Sequence, residues 1–187
     1  NNKVLIIDDM KSSKGFTLLE LMVTLAVSAI LMFVAVPSFV SFIRNSQMTT
    51  QANAFFTDLS LTKSEAVKRN ARVSICASSN GTSCSGSTNW ATGWIVFTDA
   101  SGTSGVLDGT DELLRTHGEI KGEATFTSNG DTYVQFTSSG YSSSYSDASA
   151  TETLFTLDHA SCTGDQKRVI SVAPYGRVEV ERETCGT

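Results

Sequence analysis

Proline is almost absent from this chain of 187 residues: there are two, against 14 glycines, which excludes a collagen-like repeat and a proline-rich linker. Histidine is as scarce, at two, and the four cysteines form no Cys-x-x-Cys knuckle, so the usual ligands of a zinc site are missing. Charge is sparse too. Charged residues make up 18% of the chain, and 14 Lys+Arg face 19 Asp+Glu, a formal net charge of -5. A field of that sign opposes long-range attraction to nucleic acid or anionic lipid, and leaves room only for a local basic patch. No Gly-x-Ser-x-Gly elbow, phosphate loop or dinucleotide fingerprint is present, and no catalytic residue is assigned. Disorder is excluded as well, since 40% of the residues are hydrophobic. The length suits one domain with a real core.

What is present is unevenly spread. Residues 16–36 are apolar with a single charge, Glu20, whereas the 49 Ser and Thr residues crowd the part after Ile75. At about 1.5 Å per residue this run spans about 32 Å, enough to cross a hydrocarbon core of roughly 30 Å. It reads as a membrane helix. Lys11 and Lys14 precede it and place that end in the cytoplasm, with everything after Pro37 exported. A secretory signal would have a shorter apolar region followed by a small-residue cleavage site, and neither is found. An ionised carboxylate within such a span costs roughly 2.5–3.5 kcal/mol, so Glu20 requires a partner or a reach to the interface.

Beyond Pro37 the apolar positions Phe39, Phe42, Ile43, Met48, Ala52, Phe55, Phe56, Leu59, Ala66 and Val67 recur at steps of three and four. This predicts an amphipathic helix to about Asn70 with one buried stripe, and with Lys63, Glu65, Lys68 and Arg69 on the wet side or near its end. After Arg72 eight short β-branched and aromatic runs follow, beginning at Val73, Trp94, Leu113, Ala124, Tyr133, Leu154, Arg168 and Arg177 and separated by Gly, Ser, Asn and Asp clusters. A long helix followed only by strands is an α+β arrangement.

The string Lys14-Gly15-Phe16-Thr17-Leu18-Leu19-Glu20 resembles the cleavage and methylation site of type IV prepilins and type II secretion pseudopilins. The resemblance implies cleavage by a dedicated prepilin peptidase between Gly15 and Phe16, N-methylation of Phe16, and pairing of Glu20 with a neighbouring subunit's α-amino group. Pro37 matches the proline that kinks the pilin helix. Further on, the strings 93–99, 108–115 and Val134-Gln135-Phe136 with Gly140, then 168–172 with Gly176-Arg177, resemble the GspH/FimT-type pseudopilins. The implied organisation is a leader at 1–15, a transmembrane and assembly helix at 16–36, its amphipathic continuation at 37–70 and an exported antiparallel β-sheet domain at 71–187. The implied fold is the type IV pilin fold. The implied role is structural, not enzymatic, and without a cofactor: a minor pilin that starts or caps a type IV pilus, or alternatively a minor pseudopilin of a type II secretion system. Its partners would be other pilin or pseudopilin subunits, the peptidase and the bacterial inner membrane. It would sit there as a single-pass protein before entering a pilus or pseudopilus in the periplasm or at the cell surface.

All four cysteines fall in the part placed outside the cytoplasm, where disulfides form. Of three connectivities, Cys76 with Cys84 and Cys162 with Cys185 is preferred because both pairs are local. The acidic loop 99–112 carries oxygen ligands at alternating positions but lacks EF-hand spacing, so a solvated hairpin loop is expected over a calcium site. Asp158-His159 comes with no nucleophile string, and both His117 and His159 read as surface residues. Some FimT-like pilins capture DNA through Gly-Arg-x-Arg. The equivalent here is Gly176-Arg177-Val178-Glu179, and on a strand Arg177, Glu179 and Glu181 share one face, whose charge sums to negative. Lys167, Arg168, Arg177 and Arg182 are the residues that could contribute to DNA binding.

Overall fold

The structure, a computed structural model, describes residues 15–142 and 152–186; the leader residues before Gly15 lie outside them. One helix, α1 (Leu18–Arg69), precedes eight strands: β1 (Val73–Ala77), β2 (Trp94–Thr98), β3 (Leu113–His117), β4 (Ala124–Ser128), β5 (Tyr133–Phe136), β6 (Thr153–His159), β7 (Lys167–Val172) and β8 (Val178–Glu183). The chain divides into two units, up to Ile43 and from Arg44 onward, with the division inside α1.

Both ends of α1 are chemically marked. Thr17 caps it, its hydroxyl accepting from the Glu20 N–H at 3.2 Å, and Thr17-x-x-Glu20 is the spacing of a capping box. At the other end Asn70 takes φ 51°, while the Ala71 and Asn70 N–H groups donate back to the Ala66 and Val67 carbonyls. That is the Schellman arrangement, which satisfies the last carbonyls and stops the helix. Pro37 lies inside the helix and removes one of its hydrogen bonds.

In the second unit the buried face of α1 is Met48, Ala52, Phe55, Leu59, Thr62 and Ala66, alternating steps of four and three. Phe39, Phe42 and Ile43, expected on that stripe, are exposed, as are Phe56 and Val67 on its flank. The periodic pattern is longer than the surface available to cover it. Phe55 occupies the centre. Its ring meets Trp90, Trp94, Phe126 and Phe155 edge-on at centroid distances of 5.5, 5.1, 4.8 and 4.7 Å, the geometry aromatic quadrupoles favour.

The strands form two antiparallel sheets, ordered β3-β2-β1-β5 and β4-β6-β7-β8, within the expected antiparallel β-sheet domain. The second sheet alternates: Thr153, Phe155 and Leu157 of β6 are buried, as are Arg168, Ile170 and Val172 of β7. The first does not, because β1 is buried throughout and β2 nearly so. One face of it joins the main core; on the other Cys76, Ile95 and Phe97 form a smaller cluster with Cys84, Leu107 and Tyr133. Leu107 belongs to the acidic loop, which folds this side chain over the cluster while most of its other residues stay exposed. Disulfides join Cys76 to Cys84 and Cys162 to Cys185.

Candidate functional site

Between Leu18 and Ile43, α1 carries large apolar side chains on every side, and those described are all exposed: Phe33 by 85%, and Phe16, just before the helix, by 84%. A helix apolar all round is stable only when another apolar phase surrounds it, a bilayer or neighbouring helices. The helix meets the length and apolarity needed to cross a membrane. Glu20 is the one carboxylate between Leu18 and Ile43, placed at the third helical position, where the N-terminal end of the helix dipole favours a negative charge. No cation lies near it among the described residues.

The basic residues named from sequence are not gathered into one surface. The β7–β8 register sets Arg168 opposite Arg182 and Lys167 opposite Glu183. Arg168 and Arg182 therefore share the face that carries buried Ile170 and Val172, whereas Lys167 and Arg177 lie on the other. Arg168 is 2% exposed and is spent internally: it donates to the Asp165 and Lys167 carbonyls, to Asn45 Oδ1 at 2.6 Å and to Thr49 Oγ1 at 3.1 Å. Burial and the neighbouring Arg182 charge lower its pKa. It ties β7 to α1 and is inaccessible to a phosphate backbone, which corrects its place among the DNA candidates. Lys167 pairs with Glu183 at 2.7 Å and Arg177 with Glu179 at 2.9 Å, so these two cations already face carboxylates, and Arg182 is exposed.

The acidic loop uses its carboxylates on itself. Asp99, fully buried, accepts at Oδ2 from the Gly105 N–H, Ser74 Oγ and Gln135 Nε2. Asp108 accepts from the Thr103 N–H, and Asp111 from the Ala100 N–H. These bonds hold Leu107 over the small cluster, a structural role that EF-hand spacing could not reveal. Asp158, Cys162 and Cys185 bring ligand atoms within 4.8 Å of one another, but both sulfurs are committed to the disulfide. Near Asp158, the His159 Nδ1 accepts from the Ser161 N–H, so that nitrogen is engaged with backbone. His117 is half-buried and stacks flat on Trp94 at 3.9 Å.

Sequence reasoning missed one buried ionic centre. Asp58, 3% exposed, accepts from Trp94 Nε1 and from Arg115 Nη1, both at 2.8 Å, linking α1 to β2 and β3. The only advance signal was an aspartate one residue before Leu59 of the helical stripe.

Two family models match the chain. The model of the type II transport protein GspH covers residues 51–176, and that of the prokaryotic N-terminal methylation motif covers 10–36. The chain belongs to the GspH family. Among solved structures, this GspH-family chain is similar to the type IV minor pilin FimU of Pseudomonas aeruginosa in two crystal forms. The first has a TM-score of 0.56 at 22% identity, covering 75% of this chain and 92% of FimU. The second has 0.53 at 23% identity, covering 71% and 91%. The fold of this GspH-family chain is accordingly that of a type IV pilin: one long N-terminal helix and antiparallel sheets. No curated protein matches the sequence.

Proposed function

We propose that this chain is a structural minor pilin of a type IV pilus, which helps to initiate or cap the filament. The observation that carries this reading is the half-helix from Leu18 to Ile43, apolar and exposed all round with Glu20 as its one charge. Such a segment needs an apolar surround twice: the inner membrane before assembly and the packed helices of other pilin subunits after it. A prepilin peptidase would cut between Gly15 and Phe16, and Phe16 would be N-methylated. The new α-amino group then lies close in sequence to Glu20, whose carboxylate would pair with the α-amino group of the neighbouring subunit. That pairing neutralises two charges in an apolar medium, where either alone is costly. The topology is single-pass, amino end inside and sheet domain exported, with the mature subunit in the filament.

Mass spectrometry of subunits from sheared filaments tests this. The expected N-terminal peptide starts at N-methylated Phe16, and Glu20→Ala should leave processed subunits in the membrane fraction and absent from filaments. Unprocessed chain in filaments, or normal incorporation of Glu20→Ala, overturns the reading.

The GspH family model favours a second reading, a minor pseudopilin of a type II secretion system. Deletion separates the two, through loss of surface pili or loss of secreted protein. DNA binding would have to rest on Lys167, Arg177 and Arg182 without Arg168, and is tested by a salt-dependent mobility shift with the Lys167→Ala/Arg177→Ala double variant.

A further inference from the structure

Among the described residues the last strand leaves one edge of its sheet open. β8 is outermost in its sheet and pairs, among the described strands, with β7 alone. The bond from the Ala173 N–H to the Arg177 carbonyl fixes which of its residues turn their backbone groups toward β7. In an antiparallel ladder every second residue does so. Glu179, Glu181 and Glu183 therefore bond to β7, while Val178, Val180 and Arg182 direct N–H and C=O away from it. The carbonyl of Gly176, in the turn before β8, accepts from Lys63 Nζ of α1 at 2.9 Å, and the open run starts just beyond it.

Beside this edge runs a groove. One stretch, of about 430 Å³, is bounded by Asn53 and Phe56 of α1 and by residues 178–181; the next, of about 620 Å³, lies between Phe56, Lys63 and Val67 and residues 176–178. Its apolar wall is uncovered, with Phe56 37%, Val67 52% and Val180 36% exposed, and polar and charged side chains, Lys63 and Lys68 among them, rim it. The opposite side of β8 is acidic. Glu183 and Glu179 have Lys167 and Arg177 as partners, and Glu181 faces no cation among the described residues. A second copy of β8 fits poorly: centred antiparallel on Val180, it would set Glu179 against Glu181 twice, and like charges directly opposite are destabilising.

We propose that the β8 edge and the adjoining flank of α1 accept an extended segment of a partner protein as an added strand, with apolar side chains in the groove alternating with basic ones over the glutamates. Backbone pairing with Val178, Val180 and Arg182 provides affinity, and the alternating pockets and charges provide selectivity. The site lies wholly in the unit from Arg44 onward and does not depend on filament membership.

The test uses the full chain in detergent micelles and a capped, fluorescent Lys-Val-Lys-Val-Lys-Val peptide. Saturable binding is expected, with slowed hydrogen exchange at the Val178, Val180 and Arg182 amides. The Glu-Val counterpart should bind more weakly. Val180→Pro removes an outward N–H and leaves the β7 ladder intact, as proline on an edge strand can; it should weaken binding about tenfold. Glu181→Lys should weaken it by up to about fivefold. A peptide N-methylated on the backbone amides that face β8 should fail on the unaltered protein, which keeps the test valid if Val180→Pro misfolds. Absence of binding, equal binding of the Glu-Val or N-methylated peptide, or protection elsewhere overturns the proposal. So does a concentration-dependent dimer of the protein that Val180→Pro abolishes, which would make a second copy the occupant.

Discussion

Asp58 lies on a helix yet is nearly inaccessible, and its two carboxylate oxygens are divided between the Trp94 indole and the Arg115 guanidinium. Removing the carboxylate strands a buried N–H and leaves the Arg115 charge without its partner. Breaking a buried pair costs about 3–5 kcal/mol, but Arg115 is 48% exposed and water replaces part of the loss. Asp58→Ala should therefore lower unfolding free energy by about 2–3 kcal/mol in urea titration; a change under about 0.5 kcal/mol would show that the contact is incidental. Phe55, touching four aromatic rings, should cost more, about 3–5 kcal/mol on Phe55→Ala. Glu65 gives a pH signature instead. Hydrogen bonds first from Arg69 and then from Lys68 lower its pKa, so its contribution is present above the ordinary carboxylate range and is lost as pH falls through the lowered value. Glu65→Gln should be distinguishable from the unaltered protein at neutral pH and low salt, and indistinguishable in strong acid or high salt.

At the scale of elements, the β7–β8 hairpin is fixed by a contact that no local pattern predicts. Gly176 has φ 78°, and a Cβ there would stand 1.9 Å from the Gly140 carbonyl oxygen, backbone against backbone. Gly140 itself carries φ 78° beside the Lys63 side chain, whose ammonium holds the Gly176 carbonyl. The two glycines, far apart in sequence, are needed for the same crossing over α1. Gly176→Ala should cost more than the about 1–3 kcal/mol of backbone strain alone and should shift the resonances of residues near Gly140; a substitution within about 0.5 kcal/mol of neutral would refute the crossing. The strands themselves were legible from short β-branched and aromatic runs between turn residues, and the helix from steps of three and four, because both patterns record burial. The second sheet was not legible, since hydrogen-bond partners are chosen by tertiary packing and leave no mark in a single strand. Trp90 shows the same limit. It belongs to no strand run, yet its N–H donates to the Phe126 carbonyl and its ring is fully buried against Phe55 and Phe155. Arg168 was misread because an arginine in an alternating strand looks the same whether its inward face meets solvent or the Asn45 and Thr49 oxygens.

For the molecule as a whole, a mean composition that looks soluble and acidic is the sum of two parts with opposite solvent requirements. Every buried side chain among the described residues belongs to Met48 or later, and no described side chain from Gly15 to Ile43 is buried. The core is thus built without the apolar half of α1, while the bonds from Arg168 to Asn45 and Thr49 fall just inside the second unit. A chain starting at Arg44 keeps every core residue, both disulfides and the Asp58 and Arg168 networks. It should remain in solution without detergent, with a Tm within about 2–4 °C of the full chain in micelles, the shift that roughly 1 kcal/mol produces at this size. Loss of cooperative melting, or a larger drop, would mean that the segment before Arg44 contributes to folding and not only to anchoring and assembly. Retention of detergent dependence would place an additional apolar surface on the sheet unit, for which the uncovered flank of α1 at Phe56 and Val67 is the first candidate.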